Sequence, residues 1–476
     1  MKKLIDYYKK LSLPLKVAMW LTLCQFLQKA IGLITTPFFT RILSTAEYGI
    51  ISTYMSWENI FLILVSLSVS HAIMNLNVKY DNRDMILSSI VGLSLLMASI
   101  WAGIFLIFRD NLVTFSGLSG IMIVFLFVYC LFQNIILSWM TKEQYDYAHK
   151  RVIFVTIVYT AVTSFSGLYL VTFVSQTAKA KIFPEVCMVS IIGIILIIHI
   201  FFKGKVFFHK KIWTFALTFC VPLLPHYISE IILQSSDRIM INRLCSTSDV
   251  AIYSIAYSVG NLIVMVTSAV NAVFVPYQYK KIKSKEYKVL AKNSEYIITF
   301  VGICLCGIMF FGKEIVQLFG GTKYLESITL IAPICLGAFF NYVFQLFARI
   351  QEYFEQKYTI VIASVSCAAL NIILNYIFIG LFGYKAAAYT TFTCYFIFCF
   401  LHYLFYKMVC KKYIGYEIYN AKSLVIISIV LIVLTILIQF LTLHYLIKYI
   451  VLAVVLMMVF VLRKKIFTFI INIKDI

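Results

Sequence analysis

Four charged side chains stand inside stretches that are otherwise apolar: Lys29, Glu58, Glu185 and Glu230. A charge at the centre of a membrane helix costs about 2.5–3.5 kcal/mol on insertion scales, so each marks a cavity, an ion pair or a coupling site. Lys29 shares three- and four-residue spacing with Gln25, Gly32 and Thr36, which gives its segment one polar face. His226, Glu230 and Asp237 share a face in the same way, just after Pro222 and Pro225, which are expected to kink that helix. Glu58, Glu230 and Asp237 are therefore the candidate cavity carboxylates, for proton or sodium coupling, and Lys29 is a candidate for the cavity wall, in substrate handling or coupling. Arg41, Asp237, Arg238 and Arg243 fall near the ends of two such segments. They read either as interfacial anchors or as a landing site for an anionic headgroup, since Arg can clamp phosphate with two parallel hydrogen bonds. Two polar stripes complete the set: Ser52, Ser56, Asn59 and Ser66, and Ser254, Ser258, Asn261 and Ser268. Their small side chains suit close helix packing first, and a hydrophilic cavity wall second.

The segments that must hold these residues are membrane spans. Of the 476 residues 62% are hydrophobic and only 13% charged, too little polar surface for a water-soluble chain of this length. Apolar runs near 20 residues, the length that crosses a bilayer, recur along the whole chain. Fourteen can be placed, from 17–40 and 48–74 through 213–235 and 250–276 to 423–442 and 445–462. The expected fold class is all-α, a polytopic membrane protein. The gaps between spans are short and leave no room for a large loop carrying an acceptor site.

The net charge of +21 could suggest nucleic acid, but the basic residues are confined to short loops. Thirty of the 41 Lys and Arg lie in the two tails and the even-numbered connections and ten in the odd-numbered ones. By the positive-inside rule both termini are expected on the cytoplasmic side. The basic segment 1–16 has no small-residue cleavage site after its apolar run and reads as a retained tail. Most of the twelve cysteines lie inside spans, where Cys behaves as a small hydrophobe. No metal and no cofactor are expected. No nucleotide loop, serine elbow or HExxH pattern occurs, so the reading is of a transporter rather than an enzyme.

An internal repeat organises the spans. Residues 41–66 align without gaps on 243–268, with eight of 26 positions identical, among them Arg41/Arg243, Ser44/Ser246, Ser52/Ser254 and Asn59/Asn261. Six spans separate the copies, so both halves insert in the same direction, as in parallel-repeat transporters with a substrate path between the halves. The expected division is a six-helix lobe over 1–208, a second over 209–412, and two additional helices over 413–476. The repeat pairs Glu230 with Gln28, next to Lys29. This sets Lys29 and Glu230 near each other across a central cavity, in substrate handling or as an ion pair locking the lobes.

Two stretches carry a family resemblance. TPFFTRILSTAEYGIISTYMS (36–56) resembles the first-loop signature of bacterial polysaccharide and O-antigen flippases, and 221–263 resembles their seventh-to-eighth helix signature. These belong to the multidrug/oligosaccharidyl-lipid/polysaccharide exporter superfamily. The resemblance implies alternating access around a central cavity in a bacterial cytoplasmic membrane. It also implies translocation of a polyprenyl-diphosphate-linked oligosaccharide from the cytoplasmic to the outer leaflet for surface polysaccharide assembly. The implied partners are that cargo, membrane lipid and the polysaccharide polymerase machinery, with no nucleic acid. The implied diphosphate ligands are Lys29, then Arg41, Arg238 and Arg243, with Asn59 and Asn261 beside them. The lipid II branch carries several deep arginines, whereas this chain shows one deep base, which argues against that branch. The rival readings are a cation-coupled drug antiporter of the same superfamily and, behind it, a membrane polymerase or ligase.

Overall fold

The computed structural model describes residues 13–444, 446–451 and 453, and among them there is no strand. The first seven long helices are α1 (Leu13–Ile42), α2 (Thr45–Ser66), α3 (Arg83–Ile107), α4 (Gly120–Tyr145), α5 (His149–Phe173), α6 (Ala178–Gly204) and α7 (Leu224–Leu244). They continue as α8 (Thr247–Lys283), α9 (Tyr287–Phe310), α10 (Ile328–Tyr353), α11 (Lys357–Phe382), α12 (Ala386–Tyr413) and α13 (Ala421–Leu443). Twelve segments, all but α1, are both long and apolar enough to cross a membrane. At 30 residues α1 has the length as well, and its polar face around Lys29 sets it apart. The all-α expectation holds. The fourteenth span and the N-terminal tail lie largely outside the described residues.

Local chemistry explains where the helices start and stop. Ser44 and Ser246, matched in the repeat, each take the N-cap position, and each hydroxyl accepts the backbone N–H three residues on, at 3.1 Å in both copies. Such a cap satisfies one of the donors that a helix start leaves open. Gly117 and Gly383 follow helix ends with φ of +69° and +74°, a conformation that costs glycine least. The Pro222 and Pro225 kink is present and is larger than expected. A separate amphipathic helix Lys210–Cys220 ends in a 3-10 turn, Val221–Leu223, and only then does α7 begin. This moves the seventh span from the expected 213–235 to 224–244 and puts Asp237 and Arg238 inside a helix, two turns from its end.

Buried apolar side chains collect in separate cores. One draws on residues from Phe39 to Cys220; a second runs from Leu233 to Ile438, with a smaller cluster between Ile241 and Ala388. The N-terminal and C-terminal halves meet mainly where α2 lies against α7 and α8. Leu13 marks one end of the bundle, called the near end below; the opposite end is the far end.

Candidate substrate cavity

Between the halves lies a cavity of about 700 Å³. α1, α2, α5 and α6 form one wall and α7, α8, α10 and α12 the other. Both repeat stripes face it: Ser52, Ser56 and Asn59 from α2, and Ser254, Ser258 and Asn261 from α8. The second of the two readings, a cavity wall, is thus the one these serines fit, and Ser56 and Ser258 return their hydroxyls to the carbonyl four residues back, at 2.9 Å each.

The far end is closed by contacts between the halves. The two repeat copies touch: Thr45 and Ser248 share a hydroxyl hydrogen bond of 3.0 Å. A Cβ on Gly49 would stand 1.7 Å from the Thr247 carbonyl oxygen, so only glycine permits this approach of α2 to α8. Thr40 donates to the Phe319 carbonyl, Lys323 donates to that of Arg41 at 3.3 Å, and Tyr48 meets Tyr324 edge-on at 6.2 Å. Toward the near end, α1 and α8 contact each other sparsely. There α1 exposes Met19, Leu23 and Phe26, and α8 exposes Val264 and Val273. Both helices therefore present apolar side chains along the flank between them.

Three cations and one carboxylate line the cavity: Lys29, Lys181, Arg238 and Glu185. Lys29 is exposed and forms no ion pair among the described residues. Arg238 lies over the ring of Tyr257 at 4.3 Å and donates through Nε to Ser254 at 3.3 Å, which fixes its guanidinium plane. Lys181 bonds Glu185, four residues on in α6, at 2.9 Å, and Tyr159 donates to the other Glu185 oxygen at 3.5 Å. Behind this pair Glu58 is buried, near enough to Glu185 and Lys181 to interact electrostatically with both. Its Oε2 and the hydroxyl of Tyr54 have no hydrogen-bond partner among the described residues.

Several expected site residues lie elsewhere. Glu230 is not among the residues that line the cavity; it faces His226 at 3.9 Å, and His226 in turn contacts Ser364 at 3.0 Å. The expected meeting of Lys29 and Glu230 across the cavity is therefore absent, although Gln28, the repeat partner of Glu230, does line it. Asp237 is fully buried within the C-terminal half. It accepts from Tyr253 at 2.5 Å, from Asn375 at 2.7 Å and from Thr391 at 2.7 Å. Arg243 reaches the N-terminal half at the far end, donating to the carbonyls of Thr114 and Phe115 at 2.5 and 3.2 Å. Arg41 is exposed at the end of α1. The single deep base expected from the sequence becomes three, because Lys181 and Arg238 both turn inward.

The comparisons with known proteins agree with this architecture. The family model described as polysaccharide biosynthesis protein matches residues 15–282, and the MatE model matches 222–377. Lsg locus protein 1 of Haemophilus influenzae is 23% identical, over 66% of this chain and 81% of its own length. Among solved structures, the lipid II flippase MurJ in an inward closed conformation superposes with a TM-score of 0.65 at 16% identity, covering 91% of this chain and 99% of MurJ. An inward-facing multidrug resistance MATE transporter gives 0.62 at 11% identity, covering 80% and 94%. At such identities the likeness establishes the fold, while the family match spans more than half of the chain: this protein belongs to the polysaccharide biosynthesis protein family.

Proposed function

We propose that the protein is a flippase that carries a polyprenyl-diphosphate-linked oligosaccharide from the cytoplasmic to the outer leaflet. The lobes 1–208 and 209–412 would alternate around the cavity, the near end facing the cytoplasm. One observation carries this reading: a hydroxyl- and amide-rich cavity with three cations to one carboxylate, beside an apolar flank where α1 and α8 meet sparsely. That shape fits an amphiphile whose anionic head enters the cavity while its chain stays in lipid.

A diphosphate cannot cross hydrocarbon alone, because an unpaired charge there costs far more than a lipid contact returns. Lys29, Lys181 and Arg238 supply counter-charge, and Asn59, Asn261 and the serines accept and donate to sugar hydroxyls. The carboxylates beside Lys181 couple the cycle: an arriving phosphate competes with Glu185 for the ammonium, and Glu58 lies behind as a second acid. A potential negative inside helps anionic cargo outward by about 2.3 kcal/mol per charge per 100 mV.

The test places purified protein in liposomes with a fluorescent polyprenyl-diphosphate oligosaccharide on one leaflet. Label reaching the other leaflet, with K29A and R238A each slowing it at least tenfold, is the expected result. No transfer, together with uptake of a lipophilic cation against a proton or sodium gradient, would replace this reading with a drug exporter.

A further inference from the structure

Below the cavity, toward the near end, α10 carries a polar row at four-residue spacing: Asn341, Gln345 and Arg349. Asn341 lines the cavity. Gln345 donates to the Asn341 carbonyl at 3.0 Å, and its Oε1 accepts from Asn271 of α8 at 2.9 Å and from Arg349 Nη2 at 3.1 Å. Arg349 is 92% buried, given its 8% exposure. Its Nη1 has no hydrogen-bond partner among the described residues, and neither has the nearby Tyr342 hydroxyl. Glu352, held by the Tyr279 hydroxyl at 3.2 Å, acts on Arg349 electrostatically without forming a salt bridge with it. A buried guanidinium with an unused donor, beside an unused hydroxyl, is arranged to receive an anion with several acceptor oxygens.

We infer that Arg349, with Tyr342 and the Asn341–Gln345 row, is a second anion site, for the phosphate of a lipid headgroup entering at the near end. The inference rests on the flippase reading for its direction. Arg349 lies four residues from the end of α10, about 6 Å of helix rise, whereas Lys29 lies thirteen residues from the far end of α1, about 20 Å. Arg238 lies six residues, about 9 Å, from the far end of α7. The cations thus stand at three depths, and the amide row joins the lowest to the cavity. α8 packs along this row through Asn271 and Tyr279, and it has a yielding point there. Pro276 sits inside that helix, between Asn271 and Gln278. Proline removes a backbone hydrogen bond and permits a bend. A bend of α8 at Pro276 uncovers Arg349 toward the flank where α1 and α8 part.

Binding to the full chain in nanodiscs tests this, with native mass spectrometry as readout. The probes are undecaprenyl diphosphate in discs of neutral lipid, inorganic pyrophosphate in the same discs, and phosphatidylglycerol as the disc lipid. R349Q is expected to raise the Kd for undecaprenyl diphosphate at least tenfold, and R349K to fall between, since an ammonium lacks the forked donor geometry. Y342F, which removes only a hydroxyl, raises it about threefold and serves if R349Q does not assemble. If wild-type protein binds phosphatidylglycerol through Arg349 and no diphosphate lipid, the site stands as a phospholipid site and the flippase reading fails. If diphosphate lipid binds and both R349Q and Y342F bind it like wild type, Arg349 is a packing residue and the inference is overturned. If neither lipid binds to wild-type protein, both fall.

Discussion

Two buried carboxyl groups, one in each half, sit in opposite kinds of surroundings. Asp237 is closed in by neutral donors from α8, α11 and α12, and every contact stays within the C-terminal half. Glu58 keeps a hydrogen bond with Tyr129 but has one oxygen without a partner among the described residues, a second acid and an ammonium in front of it, and Glu185 and Lys181 lie on the cavity wall. A saturated acid of the first kind fixes packing. An under-satisfied acid beside a cavity is free to respond to what enters it. On the proposed flippase reading, Asp237 belongs to the architecture and the Glu58–Glu185–Lys181 group to coupling, although the sequence made Asp237 and Glu58 equal candidates.

The largest effect is expected at Asp237. D237A leaves the Tyr253, Asn375 and Thr391 donors unpaired. At about 0.6 kcal/mol per buried hydrogen bond in membrane proteins it should cost about 2 kcal/mol of stability, read as a fall in thermal unfolding temperature in detergent. Intact stability with lost transport would break the comparison, because Asp237 would then belong to the transport cycle.

Next comes Lys181. K181Q should slow leaflet transfer about tenfold, the scale of one lost charge-assisted hydrogen bond at about 1.5 kcal/mol. E185Q, which frees the ammonium, should bind diphosphate lipid more tightly and release it more slowly. Equal binding by wild type, K181Q and E185Q would remove this pair from the cargo path.

E58Q keeps the shape of the side chain and an oxygen that can still accept from Tyr129, so stability should change by less than about 0.5 kcal/mol. The pH dependence of transfer should flatten. A transfer rate that follows pH just as in wild type would move coupling away from Glu58.

How much of this was legible in the sequence depends on what each inference needed. The repeat showed the Ser/Asn stripes because their spacing is local. Lys29 was found because a base in an apolar run is conspicuous, and Arg238 because it clusters with Arg41, Asp237 and Arg243 near the span ends. Lys181 was not: it lies one turn inside α6, where it reads as a loop base, and only the rotation of α6 turns it inward. Arg349 was missed for the same reason at the end of α10, where positive-inside counting absorbed it. The Glu230 expectation failed because a repeat offset transfers height along a helix and not how that helix is rotated against its neighbours: Gln28 lines the cavity, whereas Glu230 turns to His226.

The smallest effect concerns the short helix Gly312–Gly320, whose Phe319 carbonyl takes part in the far-end closure. Glu314, on this helix, bonds Lys448 at 2.7 Å through both oxygens. Burial acts to raise the Glu314 pKa, but the Lys448 ammonium outweighs it and holds the carboxyl below its usual value. Its contribution is complete above the ordinary carboxylate range and disappears as pH falls through the lowered value. E314Q should therefore cost about 0.5 kcal/mol at neutral pH and nothing in strong acid, by thermal unfolding across pH. An equal cost at both would mean that the ion pair contributes nothing there.

Whether the cavity passes an anionic headgroup is decided by comparing two cargoes in the same proteoliposomes. One is an oligosaccharide on polyprenyl diphosphate; the other is the same oligosaccharide on a neutral lipid of equal chain length. Only the diphosphate-linked form is expected to change leaflet, and inorganic pyrophosphate is expected to slow it. Equal transfer of both, untouched by pyrophosphate, would rule out a cavity that selects the anionic headgroup.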